Sequence, residues 1–275
     1  MAGDEDQKQD DDEDIWILVE LKSLEDLATP IKLSKTIQFT TIDVSKSYIW
    51  CGSNRSSLYV FDRQTLKHVY LITISPVMPD VEAVTQLAVC HTDQLCAAVN
   101  CYRCQVFTSS IHSGTTKKPE VVEALRTDTT VTQLVWHGSS AKLYIGDNAG
   151  SIHVCSILTN KMIPRSSLLC RLDSCIVQLD FKDHILLAAT LTKCTTYHTE
   201  RKTFTDIGKK ARNGYYGAVI LPSVETENSS APELVCYCSR PGLRLWRADT
   251  HGKVLATLNF KQTLAQSLLS PVFSR

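Results

Sequence analysis

Short runs of β-branched, aromatic and other apolar residues recur along the chain, each closed by turn residues, and helical spacing of apolar positions is almost absent. One phrase repeats. It reads Phe-Thr-Thr-Ile-Asp-Val at 39–44, Val-Thr-Gln-Leu-Ala-Val at 84–89, Val-Thr-Gln-Leu-Val-Trp at 131–136 and Ile-Val-Gln-Leu-Asp-Phe at 176–181, with starts 45, 47 and 45 residues apart. A fifth, weaker start is Tyr216-Gly217-Ala218-Val219-Ile220. After each phrase come a turn and a second apolar run, as at 48–51, 95–99, 143–145 and 185–189. A third run follows at 58–61, 104–107, 152–155 and 243–246, and a fourth closes the unit, for instance at 69–74 and 254–258. Four short strands in a period of this length match a propeller blade, which cannot cover both its faces alone and must pack between neighbours.

The turn chemistry agrees. Gly52-Ser53-Asn54-Arg55-Ser56, Gly146-Asp147-Asn148-Ala149-Gly150 and Arg240-Pro241-Gly242 stand where a second strand hands over to a third. Glycine and asparagine tolerate the positive φ of such hairpins. The one helical signal is Ser23 to Ala28, where Ser23 and Asp26 suit a capping box of one or two turns. The five starts run from residue 39 to about 260, Ile15 to Leu21 is available for one extra strand, and no sixth start precedes Arg275. The expected architecture is an all-β, WD40-like β-propeller over residues 15–275. It is expected to be incomplete in this chain, with about five to six blades, as the amino-terminal part of a longer protein.

Charge and composition narrow the class. The chain of 275 residues has formal net charge +0, yet residues 4 to 14 carry eight carboxylates against Lys8, so the remainder is correspondingly basic. An acidic block without apolar residues cannot offset its ordering entropy, which makes residues 1–14 a disordered tail in expectation, there to solubilise the chain or to screen its basic body. No apolar run approaches the roughly 18 residues of a spanning helix, and the amino terminus lacks the basic start and apolar core of a secretory signal. A cytoplasmic protein follows as the expectation. Eleven cysteines are then free thiols, mostly buried as small apolar groups.

Catalytic chemistry finds little support. Cys101-Tyr-Arg-Cys104 is one metal-ligand pair, with Cys96, Cys90 and His91 nearby, and Cys236-Tyr-Cys238 would point both thiols to one side of a strand. Buried or edge-strand thiols are the simpler reading of both, and a redox role for Cys101 and Cys104 lacks the helix that depresses a thiol pKa. The eight histidines stand singly, and Gly208-Lys209-Lys210 lacks the preceding glycine of a phosphate loop. No catalytic residue, cofactor or metal is assigned, and the chain is expected not to be an enzyme. Trp16, Trp50, Trp136 and Trp246 read as core or blade-interface residues. Two loops, Ser109 to Glu120 and Ser223 to Glu233, project between strands as partner sites or as tolerated insertions.

The candidate interaction surface is basic. Arg201, Lys202, Lys209, Lys210 and Arg212 fall around one glycine-bearing hairpin, and Arg240, Arg244 and Arg247 lie in the next unit, with Arg244 opposite Leu243 and Leu245 on its strand. Such a patch suits acidic lipid headgroups or an acidic protein surface, or is a solvated face without a partner. Nucleic acid is not expected, because these residues are not interleaved with exposed aromatics.

Several segments also carry a family resemblance. Leu172-Asp-Ser-Cys-Ile-Val-Gln-Leu-Asp-Phe181, Thr199-Glu-Arg-Lys-Thr-Phe204 with Ile207-Gly-Lys209, and Ser239-Arg-Pro-Gly-Leu-Arg-Leu-Trp246 resemble the amino-terminal WD40-like propeller family of Hermansky-Pudlak syndrome protein five and its relatives. The Arg-Pro-Gly-Leu-Arg-Leu-Trp segment is also similar to tectonin beta-propeller repeat-containing protein two, whereas Asp173-Ser-Cys175 and the opening Leu18 to Leu27 favour the Hermansky-Pudlak branch. No unit has a complete Gly-His and Trp-Asp pair, since Trp246 is followed by Arg247. The resemblance implies a non-enzymatic scaffold in endosomal trafficking, a subunit of the second complex that delivers cargo to lysosome-related organelles such as melanosomes. It implies two other large subunits and Rab-type GTPases as partners, and peripheral association with endosomal membranes. The tectonin branch would instead imply an autophagy and secretory-export scaffold.

Overall fold

The computed structural model describes residues 36–74, 83–90, 95–100, 103–108, 121–126, 128–138, 142–156, 165–223 and 234–260. The acidic tail, the expected strand at Ile15–Leu21 with Trp16, the Ser23–Ala28 turn, Cys101 and the loop from Ser109 to Glu120 lie outside them, as does nearly all of the loop from Ser223 to Glu233.

Among the described residues, twenty strands make five antiparallel sheets of four, each pairing its strands in chain order. The first holds β1 (Phe39–Val44), β2 (Tyr48–Ser53), β3 (Ser57–Asp62) and β4 (His68–Thr73); the second β5 (Gln86–Val89), β6 (Leu95–Asn100), β7 (Arg103–Thr108) and β8 (Val121–Arg126). The third is β9 (Val131–Trp136), β10 (Lys142–Asp147), β11 (Ser151–Ser156) and β12 (Arg165–Arg171). In the fourth are β13 (Ile176–Lys182), β14 (Ile185–Thr190), β15 (Cys194–His198) and β16 (Thr203–Asp206). The fifth closes with β17 (Ala218–Pro222), β18 (Leu234–Arg240), β19 (Arg244–Asp249) and β20 (Val254–Asn259). The repeated phrase is the first strand of each sheet, and these first strands pack one on the next from β1 through β17.

The core lies between sheets. Trp50, Leu58, Val60 and Ile72 of the first sheet share one cluster with Val84, Leu87, Cys96 and Ala98 of the second unit. Equivalent clusters join the second unit to the third, the third to the fourth and the fourth to the fifth. That is why β14 is buried at every position, Ile185 to Thr190, without alternation: one face packs on the third sheet and the other on the fifth. Trp50 and Trp136 are buried in these seams, and Trp246 packs against the last of them. Among the described residues no cluster joins the fifth sheet back to the first, so the five blades form an incomplete propeller.

Hydrogen bonds about one repeat apart fix the blades in register. Thr40 donates to the Val84 carbonyl at 2.6 Å and Thr132 to that of Ile176 at 2.7 Å, both 44 residues away. The Trp136 indole N–H donates to the Ala88 carbonyl at 3.0 Å. Asp43 accepts the Val89 amide at 2.7 Å, and Asp180 accepts that of Ile220 at the same distance. Burial pushes the Asp43 and Asp180 carboxyls above their ordinary 3.8, only partly offset by these amides. A folded-state pKa above the unfolded one means that the native protein binds the proton more tightly, so these two groups favour folding more as pH falls toward 3.8. An Asp43→Asn/Asp180→Asn variant is therefore expected to lose stability faster than the parent between pH 6 and about 4. Urea unfolding across that range checks it; parallel pH profiles would contradict it.

Candidate interaction surface

The antiparallel order of the fourth sheet sets which basic residues share an end. Its β13–β14 and β15–β16 turns leave from one end, where the Thr199 amide donates to the His184 carbonyl at 2.8 Å. Arg201 and Lys202 stand there, exposed, with Lys202 at a left-handed φ of 56°. The β14–β15 turn and the irregular segment 207–217, which carries the chain from β16 to β17, lie at the opposite end. The eight basic residues expected on one surface are thus divided. Arg201 and Lys202 face away from the turn and segment that hold the others of this unit, because an antiparallel hairpin reverses the chain between them.

Arg212 is not a surface residue at all. It is 5% exposed, and its guanidinium donates to the Ser239 carbonyl at 2.6 Å, to that of Thr190 at 3.0 Å and to that of Lys193 at 3.4 Å. Those carbonyls stand near the end of β18, at the end of β14 and just before β15, so the planar fork spans the seam between the fourth and fifth blades. Its Nε, equally buried, has no hydrogen-bond partner. Arg240 is half-buried beside it: its guanidinium lies 3.9 Å from the centre of the Trp246 ring and donates to the Ala211 carbonyl at 2.8 Å. Burial and the neighbouring Arg212 charge hold its pKa below the ordinary value. Gly208, at φ +67°, completes the seam, since a Cβ there would meet the Trp246 ring at 2.5 Å.

What remains exposed at this end is Lys209, Lys210 and Arg244, the last bonded to the Pro241 carbonyl at 2.9 Å; Arg247 is half-buried within β19. Two apolar residues outside the expected basic patch stand among them, Tyr215 at 80% exposure and Leu243 at 53%. The apolar run at 243–246 predicts Leu243 on the third strand of its unit. The structure puts it in the β18–β19 turn at φ 55°, off the pleat that would have buried it. Arg244 does stand exposed next to the half-buried Leu245. Basic groups beside exposed tyrosine and leucine on rigidly held turns suit a surface that offers both negative charge and an apolar layer.

All ten described cysteines are free thiols, eight of them buried. Cys236 and Cys238 point together into the seam between the fourth and fifth blades, as their spacing on a strand requires, and meet Cys194 of β15 there. Among the described residues no group of three or more histidine, cysteine or acidic side chains is placed to hold a metal. Among them, too, no helix is long and apolar enough to cross a membrane.

The family profile described as HPS5 beta-propeller matches residues 18–275. The human protein named BLOC-2 complex member HPS5 is 30% identical over 261 residues, 90% of this chain and 22% of that protein. Its Drosophila melanogaster homologue is 32% identical over 248 residues, 87% and 28% of the two chains. Human tectonin beta-propeller repeat-containing protein 2 is 32% identical over 255 residues, 86% and 17%. The chain thus spans less than a third of each of these three proteins. Among solved structures, the RRP9 WD40 repeats superpose with a TM-score of 0.60 at 11% identity, covering 82% of this chain and 64% of that one. That likeness is one of fold.

Proposed function

Since this chain belongs to the HPS5 beta-propeller family, we propose that it is a non-enzymatic interaction module of a BLOC-2-type subunit, serving endosomal delivery of cargo to lysosome-related organelles. The observation that carries this reading is the profile match over residues 18–275. In it the five blades are a rigid frame whose turns bind protein, the partners being the other large subunits of such a complex and Rab-type GTPases. The protein works in the cytoplasm at endosomal membranes. Lys209, Lys210 and Arg244, with Tyr215 and Leu243 between them, supply its peripheral contact with an acidic leaflet. Arg201 and Lys202, at the other end of their blade, take no part in that contact.

The test is affinity purification of the tagged endogenous protein, full length, from cytosol and from endosomal membranes. Two other large subunits are expected in stable complex with it, in the parent and in Lys209→Glu/Lys210→Glu alike. Membrane recovery should fall several-fold in that variant and at raised salt, but not in Arg201→Glu/Lys202→Glu. Recovery with autophagy modifiers or vesicle-coat components instead would overturn the assignment in favour of the tectonin branch.

A further inference from the structure

The seam between the fourth and fifth blades holds two guanidiniums, Arg212 and Arg240, and among the described residues neither has a carboxylate within ion-pair distance. Arg212 is buried with three carbonyls around it and its Nε unpartnered. A buried positive charge without a counter-ion is costly, and carbonyl dipoles alone do not neutralise it. The groups packed beside it are thiols. Cys194 and Cys238, 3% and 1% exposed, share this seam and are hydrogen-bonded to each other through their side chains. They flank the carbonyls that Arg212 holds, since Cys194 follows Lys193 and Cys238 precedes Ser239.

We propose that Cys194 and Cys238 form a peroxide-sensitive dithiol, with Cys194 as the attacking sulfur and Arg212 as its counter-ion. The hydrogen bond from Cys238 and the charges of Arg212 and Arg240 hold the Cys194 thiol below its ordinary pKa against the opposing effect of burial, while Cys238 is pushed up by the same contact. Two other buried thiols shift oppositely: burial pushes Cys236 of the same seam up to about 12 and Cys51 of the first blade up to about 11. A thiolate in a basic setting is the reactive form.

In the first step the Cys194 thiolate attacks one oxygen of hydrogen peroxide; the S–O bond forms, the O–O bond breaks, and the departing hydroxide takes up the proton that the thiol released on ionising and leaves as water. Sulfur is oxidised by two electrons to sulfenic acid and the peroxide is reduced. Cys238 then attacks the Cys194 sulfur, an S–S bond forms, the S–O bond breaks, and water leaves carrying the Cys238 proton. Hydrogen peroxide is small and uncharged, and in this proposal it enters by local opening of the segment 207–217, which contains no strand. The product ties β15 of one blade to β18 of the next.

Mass spectrometry of the folded chain, treated with hydrogen peroxide and then alkylated, decides the matter. A Cys194–Cys238 disulfide is expected while Cys236 and Cys51 stay reduced, and a Cys238→Ala variant should accumulate sulfenic acid at Cys194 that dimedone traps. Arg240→Gln, which leaves the three carbonyl contacts of Arg212 in place, should slow Cys194 oxidation several-fold. Oxidation of Cys194 no faster than that of Cys236 would overturn the proposal, and an unchanged rate in Arg240→Gln would overturn the part assigned to the guanidiniums.

Discussion

Replacing Arg212 by alanine is expected to destabilise the chain by about 3 kcal/mol, the cost of removing a charged donor from three carbonyls of the seam less the relief of removing a buried charge. Each hydrogen bond from a charged group contributes roughly 1.5–3 kcal/mol; the contacts to the Ser239 and Thr190 carbonyls are the short ones, whereas the Lys193 carbonyl keeps the Thr190 amide at 2.8 Å when Arg212 is gone. At roughly 2–4 °C per kcal/mol for a chain of this size, the melting temperature should fall by about 10 °C. Arg212→Lys should recover part of the loss, because an ammonium keeps the charge but not the planar fork that reaches both blades. Thermal and urea unfolding measure both variants. A loss under about 1 kcal/mol in Arg212→Ala would mean that the seam is held by its apolar cluster alone.

Trp50→Ala should cost about as much or more, 3–5 kcal/mol by the general behaviour of large aromatic side chains removed from a core. Trp50 is 0% exposed and fills the seam between the first and second blades against Leu58, Val60, Val84 and Leu87, so the space it leaves opens on both sheets at once. Its indole N–H has no hydrogen-bond partner, which separates this site from Trp136, whose N–H donates to the Ala88 carbonyl. Trp50→Phe should consequently be milder than Trp136→Phe, since the first strands no acceptor and the second leaves a buried carbonyl unpaired. Urea midpoints of the variants check the order, and a milder loss in Trp136→Phe would show that shape rather than the hydrogen bond governs these seams.

The family was readable because its marks are local. The Gln-Leu phrase and the Arg-Pro-Gly turn are contiguous residues, and the profile match extends over the same stretch. The surface was read less well, and for a reason that Arg212 illustrates. A basic residue in a glycine-bearing, polar segment has the composition of a solvated loop, and nothing local tells that the segment lies across the ends of two sheets, where its arginine reaches carbonyls of both. Tyr215 and Leu243 went the other way. As apolar residues they look like core, yet one sits in the connection between blades and the other in a left-handed turn, and both emerge into solvent.

Strand periodicity, turn residues and the repeat length suffice by themselves for the all-β class, the four-stranded unit and the order of the blades, because hairpins form between neighbours in the chain and their pleat and turns are local properties. The bonds from Thr40 to Val84, from Ile220 to Asp180 and from Arg212 to Ser239 join residues 44, 40 and 27 positions apart, and no local pattern encodes them. Which face of a sheet meets which, which carboxylates are buried, and which thiols come together under a guanidinium are decided only when one blade stacks on the next, since burial of a second face is a property of the assembly and not of the strand.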